Sequence, residues 1–124
     1  MGDRSNVFIQ MTKRTGVAAD KPDTQLWDGI GVYSHWGGAD FHARALDLLP
    51  KAIGRVGDEQ YFTRVLVQNL LNESFDADSL TGGGLWTENP GDNQHPILVI
   101  NAHTGNSWFA SEETYRVELD KATA

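Results

Sequence analysis

Cysteine is absent from all 124 residues. That excludes a disulfide framework, a thiolate nucleophile and any zinc site built on cysteine. It fits a reducing compartment, so a cytoplasmic setting is the expectation. Long apolar runs are missing too: no stretch approaches the ~20 residues that a spanning helix needs. The opening MGDRSNVFIQ lacks the apolar centre of a secretory signal. Basic charge is scarce. Ten Lys and Arg face seventeen Asp and Glu, for a formal net charge of -7. The basic residues, among them Arg4, Lys13, Arg14, Arg44, Lys51, Arg55 and Arg64, are scattered along the chain. A duplex-binding surface concentrates such charge on one face, so nucleic acid is not the expected partner. An acidic chain can still hold a small anion in a local pocket, because the local field and not the total decides.

Several catalytic signatures are absent as well. Gly82, Gly83 and Gly84 are followed by Leu85 and not by lysine, so they do not form a phosphate-cradling P-loop. Neither GxSxG nor HExxH occurs. Ser34 adjoins His35, but neighbouring strand residues point to opposite faces and cannot pair. Ser74, Thr81 and Thr104 have no base beside them, and the acidic pairs Asp76/Asp78 and Glu112/Glu113 read as solvated surface.

What is present predicts one domain over residues 1–124, a common size for a single core. VFIQM, residues 7–11, reads as a strand, and a charged loop or hairpin arm follows it. IGVYSHW is the second strand, entered through the turn dipeptide Asp28-Gly29. From Ala39 the period changes: Phe41, Ala45, Leu48, Ala52 and Val56 define one face of a helix. Asp40 suits its N-terminal dipole, and Pro50 predicts a kink or a break near residues 46–50. Asp58 is a suitable N-cap for a second helix that ends near Glu73. Phe62, Val65, Leu66 and Leu70 form its stripe, with Val67 and Leu71 widening it. After a turn-rich stretch that holds LWT as a candidate short strand, PILVINA, SWFA and TYRVEL read as strands. PILVINA is apolar enough to predict a central position. The expected fold is α+β: an antiparallel sheet of about five strands, two helices on one face, in the order ββ-αα-βββ.

Three segments carry a resemblance. MGDRSNVFIQ, GVYSHWGG and GDNQHPILVIN resemble a family of small uncharacterised proteins of phages, prophages and actinobacteria. Those proteins open with Met-Gly-Asp/Asn-Arg and carry a Tyr-x-His-Trp-Asp/Gly-Gly strand end. The resemblance implies a phage or mobile-element origin and, with it, the cytoplasm of a host cell. It carries no assigned chemistry. A role in countering bacterial defence follows only by analogy.

The stretch SHWGG, at a strand-to-helix corner, gathers the candidate site. Trp36 offers a ring to stack on, and His35 and His42 offer rings that hydrogen-bond. Gly37 and Gly38 let a ligand approach the backbone and leave N–H groups toward an anion at a helix start. Arg4, at the mouth of the first strand, suits a bidentate phosphate contact. The leading expectation is a non-enzymatic protein, without cofactor or metal, that binds an anionic ring-bearing molecule such as a nucleotide signal, or a host protein. The competing account is a packing corner in which Trp36 fills the core. Two further readings stand beside it: a metal-dependent hydrolase using His35, Asp40 and His42, and an acidic host-blocking module with no pocket. Exposed strand edges predict a homo-oligomer.

Overall fold

Residues Ser5–Lys13 form strand β1, and from Ser5 to Gln10 every residue is buried. Such burial on both faces requires neighbours above and below the sheet as well as at its sides. The computed structural model of the chain, which describes residues 2–13, 27–75 and 82–116, supplies them. β2 (Trp27–Ser34) pairs antiparallel to β1, and β3 (Gly83–Trp86) pairs antiparallel to β2. On the other side lie β4 (Ile97–Asn101) and β5 (Ser107–Ala110), giving a five-stranded sheet in the order β3-β2-β1-β4-β5. The element order is ββ-αα-βββ, as the residue pattern predicts.

One pairing departs from expectation. β1 and β4 are parallel, so the sheet is mixed and not wholly antiparallel. A parallel pair cannot be closed by a tight hairpin and needs a crossover. Residues 87–96 make its last step, from β3 at the sheet edge past β2 and β1 to β4. Asn6 anchors the crossing: its Nδ2 donates to Asp92 O at 3.0 Å and to Asn93 Oδ1 at 2.9 Å. β4 is buried along its length but lies beside the centre; β1 is the middle strand. Thr114, Tyr115 and Arg116 form turns where TYRVEL reads as a strand, and the rest of that segment lies outside the described residues. So do the arm at 14–26 and the Asp76/Asp78 loop.

Helix α1 (Gly38–Ala52) runs through Pro50 without interruption and tightens into a 3-10 turn at Ile53–Arg55. A break near residues 46–50 is therefore not found, and the helix ends two residues after the proline. Val56, expected on the buried face, lies beyond that end and is exposed. Helix α2 (Glu59–Ser74) starts where Asp58 accepts from Tyr61 N–H at 3.4 Å. Phe41, Ala45, Leu48 and Ala52 of α1 meet Phe62, Leu66 and Leu70 of α2 over Val7, Ile9, Val32, Leu98 and Ile100. Alternation sends Asn6, Phe8 and Gln10 to the opposite face. There Phe8 stacks on Trp86 at 5.3 Å and meets Tyr115 edge-on at 5.0 Å. Gln10 donates to Tyr115 O at 3.2 Å and accepts from Asn101 at 2.9 Å, so these buried amides are paired.

Candidate functional site

The corner between β2 and α1 is assembled from short polar links. Ser34 Oγ accepts from Gly37 N–H at 2.9 Å. His35 N–H donates to Gly82 O at 2.8 Å, and His35 O accepts from Asp3 N–H at 2.8 Å. Gly38 N–H donates to Asp3 O at 2.8 Å. Gly38 has φ +51, a left-handed conformation that favours glycine, and a Cβ there would collide with the Asp3 carboxylate. A Cβ on Gly37 would press on Phe41 Cβ and Ser34 Oγ. Both glycine amides are thus engaged by the chain itself. Asp3, not an outside anion, covers the start of α1, and its Oδ1 accepts from His95 Nε2 at 2.6 Å.

Trp36 does not fill the core. It is 61% exposed. His35 meets it at 90° with ring centroids 4.9 Å apart, and Gly82 lies against its ring, with no room for a side chain. His35 is in turn tied through Nδ1 to the Tyr33 hydroxyl at 2.7 Å. Burial raises the Tyr33 pKa above its ordinary value, helped by the charge of Asp92 and opposed by that of Arg4. An indole held this way but left open to solvent is a ready stacking surface. Beside it opens a cleft of about 200 Å³ lined by Ser34, Trp36, Gly37, Asp40, Phe41, Arg44 and Phe75. Phe41 and Phe75 form an aromatic pair there, 6.1 Å apart at 50°.

The other expected ligand residues lie elsewhere. Arg4 reaches Asp92 at 3.9 Å, its backbone N–H donates to Gln94 Oε1, and it does not line the cleft. His42 is buried, and its Nε2–H donates to Asn6 O at 3.1 Å. Its ring lies 5.3 Å from Phe109 and 6.0 Å from His95. Burial pushes its pKa below the ordinary histidine value, the Asn6 hydrogen bond opposes that, and His95 adds to it. The metal set fails on geometry. Among the described residues no group of three or more His, Cys, Asp or Glu could hold an ion, so His35, Asp40 and His42 do not converge.

Three residues of the corner went unread in the sequence. Arg44 and Phe75 line the cleft, and Asp3 ties the corner to the chain start. The spacing of Asp40 and Arg44, one helical turn, was a usable signal for the first. Phe75 and Asp3 come from distant segments and had none. Comparison with known proteins gave no matching family model, no matching curated protein and no matching solved structure.

Proposed function

We propose that this protein is a non-enzymatic binding protein whose corner cleft receives the ring of a small molecule of nucleotide type. The observation that carries this reading is Trp36: backed by Gly82, braced by His35, yet 61% exposed at the rim of an aromatic-walled cleft. A dry cavity of about 150 Å³ takes benzene, so a cleft of about 200 Å³ suits one ring, with the rest of the ligand outside. Ser34, Asp40 and Arg44 give that ring polar edges to meet, and Arg44 replaces Arg4 as the guanidinium placed for an anionic tail. In the phage setting that the sequence resemblance implies, stoichiometric uptake of such a molecule would withdraw a host signal.

Titration calorimetry of the full chain against linear and cyclic nucleotides tests this, with melting temperature measured alongside. Base stacking contributes ~1–3 kcal/mol, so Trp36→Ala should weaken binding by about 5- to 150-fold. Arg44→Gln should weaken charged nucleotides more than the neutral nucleosides. If no nucleotide binds, or Trp36→Ala binds as well as the parent chain, the reading is wrong.

Exposed Leu85 on β3 and Phe109 on β5, the outermost strands, favour a homo-oligomer formed through a sheet edge. Sedimentation that shows only monomer at micromolar concentration would remove that proposal.

A further inference from the structure

Helix α2 carries more apolar surface than the core uses. Phe62, Leu66 and Leu70 recur every four residues and are buried against α1 and the sheet. Beside them runs a second line, Thr63, Val67 and Leu71, with Val67 and Leu71 only partly buried. Beyond that lies a third, Gln60, Arg64 and Gln68, fully polar and exposed. The apolar arc is thus wider than the packing demands. Its surplus faces Met11 of β1 and Ile30 of β2, and together these side chains wall a groove of about 490 Å³. That volume falls in the range of small-molecule sites, ~300–1,000 Å³.

Two observations say what the groove suits. The first is the backbone at Met11. The β1–β2 register steps from Gln10↔Gly29 to Thr12↔Asp28, which leaves Met11 as the extra residue of a β-bulge. A bulge re-aims a side chain and is enriched next to binding sites; here it belongs to a methionine, a flexible and polarizable wall. The second is charge. In a chain of net charge -7, the described side chains lining this groove include one cation, Arg64, and no carboxylate. Arg64 is held at the rim by Gln68, whose Oε1 accepts from its Nη1 at 2.9 Å, and lies 6.0 Å from the Tyr61 ring.

We infer that this groove is a binding site for an amphiphilic carboxylate: an aliphatic body between Val67, Leu71, Met11 and Ile30, and an anionic head at Arg64. The site is separate from the Trp36 cleft and chemically unlike it. A guanidinium at the rim of a trough walled by Met11, Ile30, Val67 and Leu71 recognises a head of opposite charge, while those apolar walls select for body length.

Methionine makes the test direct. The chain has two, Met1 and Met11, so methyl-labelled methionine gives an NMR spectrum simple enough to follow the Met11 signal of the groove. The full chain is titrated with decanoate below its micelle concentration, and with decanol as the uncharged counterpart. Decanoate should shift the Met11 methyl saturably at one equivalent. Decanol should bind at least tenfold more weakly. Arg64→Gln, at an exposed position, should bring decanoate down to the level of decanol. Val67→Trp, which fills the trough, should abolish the shift while the rest of the spectrum stays folded. No saturable shift with decanoate, equal affinity for the acid and the alcohol, or unchanged binding in Arg64→Gln would overturn the inference.

Discussion

Gly31 sits in the middle of β2, where replacing glycine with alanine ordinarily stabilises a strand by ~0.5–1 kcal/mol. Here the sign should reverse. Gly31 lies opposite Trp86 across the β2–β3 pair, and a Cβ built on it would fall 1.9 Å from indole Cε2. The indole has to leave. It would give up its stack on Phe8, its edge contact with Tyr115 at 5.5 Å and its Nε1–H bond to Asn6 Oδ1 at 2.9 Å. Each ring contact contributes ~0.5–1.5 kcal/mol beyond burial, and the hydrogen bond a similar amount. Set against the alanine gain, Gly31→Ala should destabilise by about 2 kcal/mol, moving the urea midpoint down by about 1 M. Repeating it in a Trp86→Ala background removes the collision. There Gly31→Ala should stabilise, so the double-mutant cycle should give a coupling of about 3 kcal/mol. A neutral or stabilising Gly31→Ala in the parent chain, or additive single effects, would refute the packing described for this face.

Leu66 is buried in the helix-covered core, and Leu66→Ala should cost about 2–5 kcal/mol by urea denaturation at unchanged slope. Gly38→Ala puts a side chain at φ +51 and pushes on the Asp3 carboxylate; a loss of about 1–3 kcal/mol is expected, with altered NMR signals for Asp3 and His95. Acid should weaken the fold through His42. Its folded pKa is depressed by burial, so the unfolded chain takes up the proton first. The contribution is fully present above about pH 6.5, the ordinary histidine value, and is lost as pH falls toward the folded value. Urea midpoints measured between pH 7.5 and 5 should fall less in His42→Gln than in the parent; equal slopes would contradict this, with His95 the other ring facing His42.

The order of elements was legible because helix and strand periods differ and because Asp58 and the glycine-rich turns punctuate them. The direction of β4 was not. It follows from the path of residues 87–96 across the sheet, which Asn6 stabilises from more than eighty residues away in sequence. SHWGG was legible as a corner, and its glycines do serve the strand-to-helix turn. What surrounds Trp36 was hidden, because Gly82, which lies against its ring, and Phe75, which lines the same cleft, come from later in the chain. Arg4 looked close to the corner in sequence, yet its ion-pair partner Asp92 belongs to the crossover loop. His42 lies one helical turn after Gly38, and helix geometry turns it away from the cleft toward β1 and Phe109. The surplus stripe on α2 was partly visible, since Val67 and Leu71 widen the apolar arc; that the core covers them only in part is a fact of packing.

The central claim is that the Trp36 cleft takes up a ring. Backbone and indole N–H shifts, followed by NMR while a nucleoside monophosphate is titrated into the full chain, test it most directly. The account predicts saturable shifts at the Trp36 indole, Ser34, Gly37 and Arg44, with the Trp86 indole on the opposite face of the sheet unmoved. Saturable shifts centred anywhere else, or none at millimolar nucleotide, would contradict it.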